Sequence, residues 1–449
     1  MIRRVFIANR GEIALRVLRT CRRLDIGVVL GVSSADLDSL PARLADRAIC
    51  IGPPRPAGSY LNAQALVHAA LATDCDAIHP GYGFLSERAS FARLAEGNGL
   101  VFIGPTPAQI ESVGDKLRAR AAAQAAGVPV VPGGEITSTA AAMALAQQIG
   151  APLLVKAVGG GGGRGMKHVA QLADLPAALE LAAAEAGAAF GDSRVYLERY
   201  VARGRHVEVQ VLGDGHGAVV HLGERDCSVQ RRYQKLIEET PAPCLPAATR
   251  SALHAAALAF ARRLDYRGAG TVEFLLDQES GAFYFLEMNA RIQVEHPVTE
   301  AITGIDLVAE QIAIAAGDGL RVSQQQVRFD GCAIECRINA EDPAQDFQPS
   351  PGIVSSASWP AGTGLRVDTH IAAGSSVPPF YDSLLGKIIA HGTDRSEALA
   401  RLLNAVRSTR LAGIRTNLAL QAQLLADAQF AAGGVDTHWL ARRLAPTEA

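Results

Sequence analysis

The sequence predicts a mixed α/β and α+β fold, in which a doubly wound parallel sheet comes first and a strand-rich region follows. Short apolar runs alternate with amphipathic helical segments in the N-terminal part, which is typical of a parallel sheet. From about residue 200, strands with alternating polar and apolar side chains dominate. The length of 449 residues accommodates about three domains.

The N-terminal elements follow in a strand–helix–strand order. Residues 2–8 predict a buried strand, residues 12–23 a helix and residues 28–33 a second strand. The rhythm recurs around residues 77–79 and 101–103. The first strand–helix turn lacks G-x-G-x-x-G, so the pattern predicts a Rossmann-like fold without support for dinucleotide binding.

The rest of the chain divides at changes in composition. GPTP at 104–107 indicates a boundary, and an Ala-rich helix over 115–126 follows it. A small unit then contains strand, five-glycine loop, strand, helix and strand, and the tail from about 395 is predicted to be helical and polar. The predicted divisions are an N-terminal domain at 1–103, a linker at 104–128, the small unit at 129–199, a strand-rich core at 200–330 and a C-terminal mixed domain at 331–449.

Composition excludes some classes of partner. Hydrophobic residues make up 49% and charged residues 20% of the chain, as in an ordinary globular protein, and the formal net charge is -2. Such a balance argues against binding nucleic acid or a membrane surface through bulk positive charge. Seven scattered cysteines without a C-x-x-C pair favour a reducing cytoplasm, and no apolar run reaches the roughly 18 residues of a membrane span.

In one segment, polar and apolar residues alternate along the sequence. LEMNARIQVEH is predicted to be a strand that ends at Pro297, with polar side chains at alternate positions on one face. Two further strands, RHVEVQVLG and AIECRINAE, show the same sorting, which predicts a sheet with one dry face and one polar site face. The polar residues are Glu287, Asn289, Arg291, Gln293 and Glu295 in the first strand, His206, Glu208 and Gln210 in the second, and Glu335, Arg337 and Asn339 in the third.

A hairpin before this segment predicts a metal site. If Leu275 pairs with Phe285, then Glu273 lies directly across from Glu287. Facing carboxylates are unfavourable unless a cation lies between them. Mg²⁺ prefers one or two carboxylates together with phosphate oxygens, and Asn289 could add an oxygen, so the hairpin predicts a magnesium–nucleotide site.

The glycine run Gly159–Met166 and the few lysines indicate phosphate binding. Glycine lets backbone N–H groups approach a phosphate, although the chain has no Walker A motif. Only five of the 43 Lys and Arg residues are lysines. Lys116, Lys156 and Lys235 lie beside Gly-rich or polar-faced elements, where a compact point charge would contact phosphate.

Several motifs together resemble biotin carboxylase of the ATP-grasp superfamily. They are ANRGEIALR, HPGYGFLSE, GGGGGRGM, GERDCSVQRR, EMNARIQVEHPVTE and AIECRINAEDP, and the resemblance covers about residues 2–440. It implies an ATP-grasp fold after the Rossmann-like domain, with a mobile glycine-rich lid at 129–199, and a biotin carboxylase C-terminal domain. It also implies an ATP- and Mg²⁺-dependent (or Mn²⁺-dependent) ligase, with two ions expected. This ligase would carboxylate biotin on a carrier protein with bicarbonate through carboxyphosphate, as the first half-reaction of an acyl-CoA carboxylase such as acetyl-CoA carboxylase.

The resemblance also implies roles for individual residues. Glu295 would deprotonate bicarbonate, Arg337 would bind biotin and stabilise its enolate, and Lys235 and Arg291 would act on the reacting anions. Lys235, Arg291, Gln293 and the backbone of Val294 would bind bicarbonate. Glu273, Glu287 and Asn289 would hold the metal. The ATP site would comprise Lys116, Lys156, Gly162, Gly163, Glu198, Arg199, Tyr200, Val201, His206, Gln230, Glu273 and Glu287.

The implied partners are a biotin carboxyl carrier protein and a carboxyltransferase, because no A-M-K-M-like biotinylation site occurs in the sequence. The resemblance leaves a homodimer open, because Arg19 and Arg366 keep residues of the family's dimer contact whereas Arg23 and Thr363 replace others. Two alternatives stay open at this point. One is another carboxyphosphate-forming ligase, similar to carbamoyl-phosphate synthetase, and the other is an inactive ATP-binding scaffold protein.

Overall fold

A computed structural model describes residues 2–159 and 165–445 of the chain. The predicted nucleotide contacts Gly162 and Gly163 lie outside the described residues. Among the residues described, no helix is both long and apolar enough to cross a membrane.

The first sheet is the predicted doubly wound one. All its neighbouring strands are parallel, in the order β3-β2-β1-β4-β5. The predicted strands and the first helix are confirmed, because the apolar stripe of that helix is buried against the sheet. The elements are β1 (Arg4–Ile7), α1 (Gly11–Arg23), β2 (Gly27–Ser33), α2 (Leu40–Leu44), β3 (Arg47–Gly52), α3 (Ala63–Leu71), β4 (Ala77–His79), α4 (Ala89–Gly97) and β5 (Val101–Phe102).

Two capped helices follow, α5 (Pro107–Gly114) and α6 (Lys116–Ala125). Thr106 and Gln109 form a capping box at the start of α5. The Asp115 carboxylate accepts hydrogen bonds from the backbone N–H groups of Leu117 and Arg118, which fixes where α6 begins. Lys116 is therefore held at the first position of α6.

The small unit contains a four-stranded antiparallel sheet in the order β6-β9-β7-β8. Its two helices pack on the sheet through a shared core of Ala, Leu and Val side chains. The elements are β6 (Gly133–Glu135), α7 (Thr139–Ile149), β7 (Leu153–Ala157), β8 (Met166–Val169), α8 (Leu175–Phe190) and β9 (Val195–Arg199).

The largest sheet has eight antiparallel strands in the order β14-β13-β10-β11-β12-β15-β22-β20. It runs without a break across the predicted boundary at 330/331, because β12 pairs directly with β15. Elements up to this boundary are β10 (Gly204–Asp214), β11 (Val219–Arg231), β12 (Gln234–Thr240), α9 (Ala247–Arg263), β13 (Arg267–Asp277), β14 (Phe283–Asn289), α10 (His296–Thr303) and α11 (Leu307–Ala316).

The C-terminal part adds three strands to this sheet, as well as short strand pairs and four helices. The predicted polar tail is wrong in one respect, because Leu402, Leu424 and Trp439 are buried in the core of this part. The elements are β15 (Cys332–Asn339), β16 (Glu341–Asp342), β17 (Gln348–Pro349), β18 (Gly352–Ile353), β19 (Ser356–Ser358), β20 (Leu365–Thr369), β21 (Ser376–Val377), β22 (Leu384–Gly392), α12 (Arg395–Ser408), β23 (Arg410–Ala412), α13 (Leu418–Leu425), α14 (Ala428–Ala432) and α15 (Trp439–Leu444).

The two faces of the large sheet are sorted as the sequence predicts. Val207, Val209 and Val211 of β10 enter the core shared with the first sheet. Glu208 and Gln210, on the other face of the same strand, are also fully buried. The polar face is therefore an enclosed site surface, and its charges need partners within the protein.

The predicted strand LEMNARIQVEH is wrong in its length. Strand β14 ends at Asn289, and residues 290–295 form a turn that leads into α10. The Glu87 carboxylate accepts hydrogen bonds from the Ala290 N–H and the Arg291 guanidinium, at 3.0 and 2.9 Å. This contact from the first domain satisfies backbone and side-chain donors that a continued strand would have to pair elsewhere.

Candidate active site

The two predicted metal-binding carboxylates face each other. Glu273 of β13 pairs directly with Glu287 of β14, as predicted. The assumed pair of Leu275 with Phe285 is wrong, because a β-bulge shifts the register and Leu275 pairs with Tyr284. The bulge lies beyond the two glutamates, so their pairing is preserved.

Lys235 occupies the centre of the polar face. Its ammonium lies 2.5 Å from Glu208, 3.1 Å from Glu273 and 2.7 Å from Glu295. Burial opposes its charge, but Cys227 and the three carboxylates raise the pKa of Lys235 well above its usual value. The lysine is therefore a permanent cation that holds three glutamates in one place.

Glu295 is shared between two cations. One carboxylate oxygen accepts from Lys235, and the other lies 2.8 Å from the Arg337 guanidinium. Burial would raise the pKa of Glu295, but Lys235, Arg337 and Arg225 lower it well below its usual range. Glu295 is thus ionised at neutral pH and able to accept a proton.

Arg337 has a second carboxylate partner in Glu238 of β12, 2.6 Å from its Nε. Burial raises the pKa of Glu238 to about 7, against the opposing charge of Arg337. Glu295 and Glu238 both contact the Arg337 guanidinium, but they differ in ionisation. Glu295 also accepts a hydrogen bond from the Lys235 ammonium, which favours its charged form, whereas Glu238 has no such contact with Lys235.

The turn after β14 brings the other predicted anion-binding residues together. The Arg291 guanidinium donates to the side-chain oxygens of Asn289 and Gln293, both at 2.8 Å, and to Glu87. The Asn289 amide donates to Glu273 at 2.8 Å. These residues were predicted to lie close together on one face of a strand, but a turn brings them together instead.

The predicted nucleotide side of the site has two lysines with acidic partners. Lys116 lies 3.2 Å from Glu287, and Lys156 of β7 lies 2.6 Å from Glu198 of β9. Burial opposes the charge of Lys116, but Glu287 raises the pKa of this lysine. His206 lies 3.0 Å from Glu273 and links this side to the Lys235 cluster. Burial would lower the pKa of His206, but Glu273 raises it.

The remaining predicted nucleotide residues lie on β9, on the segment between β9 and β10, and on β11. Val201 is buried where β9 leads into β10, and Gln230 lies across from Lys235 between β11 and β12. Arg199 donates to the Tyr284 hydroxyl at 2.7 Å, and the Tyr200 hydroxyl lies 2.8 Å from the His438 ring. These two side chains join the small unit to β14 and to the C-terminal helices.

Several residues with close contacts to the site, Glu238 among them, were not predicted as site residues. The alternation of polar and apolar residues in its strand pointed to Glu208, and the scarcity of lysine pointed to Lys387. Glu87 and Arg225 had a signal only as members of the motifs HPGYGFLSE and GERDCSVQRR, and their roles were not predicted because only the folded chain brings them to Arg291 and Glu208. Arg225 is fully buried and also contacts Gln210, Thr271 and Thr299.

The carboxylate pair fits a hard divalent cation. Burial would raise the pKa of Glu273, but Lys235 and His206 lower it well below its usual range, so its oxygens are charged. Glu287 is 35% exposed on its side chain and Glu273 only 7%, so the pair opens on one side. Carboxylate and amide oxygens from Glu273, Glu287 and Asn289 are the donor type that Mg²⁺ and Mn²⁺ prefer.

Three family models match the chain in succession. They are described as "Biotin carboxylase, N-terminal domain" at residues 1–110, "Carbamoyl-phosphate synthase L chain, ATP binding domain" at 115–323 and "Biotin carboxylase C-terminal domain" at 335–442. The fold and the site therefore define a ligase of the ATP-grasp class.

Relatives of known identity are similar over nearly the whole chain. A biotin carboxylase from Allochromatium vinosum is 52% identical over 99% of both chains. The structure of a biotin carboxylase from Campylobacter jejuni, solved with a β,γ-ATP ligand, has a TM-score of 0.96 at 44% identity and covers 98% of this chain and 99% of that one. The biotin carboxylase domain dimer of 2-oxoglutarate carboxylase from Hydrogenobacter thermophilus, solved with MgADP, ADP and bicarbonate, has a TM-score of 0.94 at 43% identity and covers 99% and 98%. The chain belongs to the biotin carboxylase family.

Proposed function

We propose that the chain catalyses the ATP-dependent carboxylation of biotin by bicarbonate, the first half-reaction of a biotin-dependent carboxylase. The observation that carries this proposal is the position of Glu295, whose two carboxylate oxygens contact Lys235 and Arg337. Glu295 can therefore take a proton from a bicarbonate ion bound by Lys235, while Arg337 on its other side stabilises charge on biotin.

Bicarbonate binds between Lys235 and Arg291, with Gln293 and the Val294 backbone on the same turn. It is a poor nucleophile, and it attacks the γ-phosphate only after Glu295 removes its proton. In the free protein, Glu295 is a weak base because three cations lower its pKa. A bound anion would share the charge of Lys235 and so return the pKa of Glu295 toward a useful range.

The nucleotide binds on the side of the two acid-paired lysines. Lys116 and Lys156 neutralise the phosphates, and Gly162 and Gly163 contribute backbone N–H groups. Glu198, Arg199, Tyr200, Val201, His206 and Gln230 line the base and ribose. Glu273, Glu287 and Asn289 would hold Mg²⁺ or Mn²⁺, which neutralises phosphate charge when bound.

Arg337 serves the second step. The ureido nitrogen of biotin is weakly acidic and becomes nucleophilic when negative charge on its carbonyl oxygen is stabilised. Arg337 extends from β15, next to β12, and its guanidinium already contacts Glu295. The phosphate released when carboxyphosphate breaks down takes the proton from that nitrogen.

The proposed partners are a biotinylated carrier protein and a carboxyltransferase, with biotin as a carrier-linked substrate. A 44% identical relative from Methanothermobacter thermautotrophicus is one of the subunits of a pyruvate carboxylase, which supports division of the complete enzyme among separate chains. A homodimer in a cytoplasmic setting is proposed in addition, and the dimeric Hydrogenobacter domain supports the dimer.

The test measures ATP cleavage by purified protein with bicarbonate, with and without free biotin. We expect bicarbonate-dependent turnover that biotin stimulates, together with carboxybiotin formation. Turnover that requires ammonia would instead support the carbamoyl-phosphate synthetase-like alternative. A folded protein that binds ATP without bicarbonate-dependent turnover would support the scaffold alternative. Both alternatives are less favoured, since the relatives that match nearly the whole chain are biotin carboxylases.

A further inference from the structure

Lys387 is a fully buried lysine that the proposed chemistry does not use. It lies on β22 opposite Arg337 of β15, so both side chains are on the polar face of the large sheet. Its side chain has 0% exposure. A buried ammonium is costly unless it is paired and hydrogen-bonded, and a chain with 38 arginines and five lysines has kept lysine here.

The contacts of the Lys387 ammonium join three parts of the chain. It donates to the backbone carbonyl of Val294 at 2.6 Å and lies 3.2 Å from the Glu12 carboxylate of α1. Asp368 of β20 is 4.0 Å away. Glu12 is itself buried and accepts a hydrogen bond from the Tyr82 hydroxyl. A compact ammonium with three donors suits this geometry, and a planar guanidinium does not.

The carbonyl that Lys387 contacts belongs to the peptide unit joining Val294 to Glu295. That unit is planar and rigid, so a hydrogen bond that holds its oxygen also holds the backbone N and Cα atoms of Glu295. Glu295 immediately precedes α10 but makes no side-chain capping hydrogen bond to that helix. Its carboxylate reaches Lys235 and Arg337 instead, so helix capping does not set its direction.

We propose that Lys387 is a positioning residue for bicarbonate deprotonation, which holds the Val294–Glu295 peptide so that the Glu295 carboxylate faces the bound bicarbonate. Glu12, which belongs to the first domain, neutralises the charge of the Lys387 ammonium. The inference rests on the proposed function, because it assigns Lys387 to the site that binds and deprotonates bicarbonate.

The first variant is Lys387→Met, which keeps an unbranched side chain only one atom shorter and removes the ammonium. It leaves Glu12 buried without its cation, which destabilises the fold. The double variant Lys387→Met with Glu12→Gln removes that uncompensated charge. Lys167→Met is the matched control, because Lys167 makes a partly exposed pair with Glu185 away from the turn.

Four quantities are measured for each protein: kcat and the bicarbonate KM of ATP cleavage, the ADP dissociation constant and the melting temperature. A misplaced reacting group costs roughly 100-fold, so we expect kcat/KM for bicarbonate to fall by about that factor in both Lys387 variants. ADP binding should be unchanged, and the double variant should recover melting temperature without recovering kcat/KM. The control should match the wild type.

Two results would overturn the inference. One is a double variant with wild-type kcat/KM for bicarbonate, and the other is a parallel loss of ADP binding and turnover, which would indicate a general structural role. Failure of the proposed function is recognised separately, because the wild-type protein itself would then lack bicarbonate-dependent turnover. In that case, calorimetric titration of bicarbonate into the ADP-bound proteins tests Lys387, and equal affinity in wild type and double variant overturns its role.

Discussion

The guanidinium of Arg337 lies 2.8 Å from the carboxylate of Glu295. The proposed base for bicarbonate and the proposed stabiliser of the biotin enolate are thus in direct contact. Each affects the charge of the other, since Arg337 helps to lower the pKa of Glu295. Substitutions at either residue are therefore expected to affect both chemical steps to different degrees.

Arg337→Ala should abolish most biotin carboxylation while nucleotide binding persists. Loss of one charged stabiliser of a developing oxyanion costs about 10²–10³ in rate. The variant is compared with Arg443→Ala, which removes an exposed pair with Asp427. Carboxylation of free biotin and ADP binding are measured together, and an unchanged carboxylation rate would refute the proposed role.

Lysine-to-arginine substitutions should separate phosphate and anion contacts from incidental charges. Lys116→Arg, Lys156→Arg and Lys235→Arg are expected to impair turnover, and Lys235→Arg most, because three carboxylates surround its compact ammonium. Lys167→Arg should retain full turnover. Steady-state ATP cleavage checks the series, and a fully active Lys235→Arg enzyme would contradict the expectation.

Glu87→Ala should weaken bicarbonate binding although Glu87 lies in the first domain. It removes the acceptor for both the Ala290 N–H and the Arg291 guanidinium. We expect the bicarbonate KM to rise roughly tenfold, since a hydrogen bond to a charged group contributes about 1.5 kcal/mol. Glu111→Ala, which removes an exposed pair with Arg93, is the control. An unaltered KM would show that the turn holds without Glu87.

Glu295 and Glu238 should change the pH dependence of stability in opposite directions. The folded-state pKa of Glu295 is depressed, so its contribution is present above the unfolded value of about 4.3 and is lost as pH falls below it. The folded-state pKa of Glu238 is raised to about 7, so stability falls as pH rises from about 4.3 toward that value.

Melting temperatures of Glu295→Gln and Glu238→Gln across this range check the two signs. Glu295→Gln should flatten the loss of stability on acidification, and Glu238→Gln should flatten the loss on approaching neutral pH. Parallel curves for the two variants would contradict the assigned ionisation states.

Alkylation should distinguish the cysteines by burial. Cys50 and Cys244 are exposed, whereas Cys227 is buried, and burial raises its thiol pKa well above the usual value. A neutral alkylating reagent should therefore label Cys50 and Cys244 first in the folded protein and reach Cys227 only after unfolding. Peptide mass spectrometry checks the order, and early labelling of Cys227 would mean that the polar face is open to solvent.

The alternation of side chains along the strands predicted which polar residues share one face of the large sheet, because alternation is a local property of the sequence. It placed Glu208 and Gln210 on one face and set Glu273 across from Glu287. It failed for residues 290–295, because the turn depends on Glu87, about 200 residues earlier in the chain. Lys387 shows the same limit, since its partners Val294 and Glu12 come from distant segments that no local pattern connects.

The pairing of β12 with β15 makes the large sheet a single hydrogen-bonded body across two family modules. A fragment that stops near residue 330 would present the free edge of β12, with its row of unpaired backbone groups, to any other chain in solution. Such a fragment is expected to self-associate, and its Glu238 would lose Arg337 as its counter-ion. Evolutionary recombination of this ligase core with other C-terminal partners would therefore require a replacement strand, not merely a flexible joint.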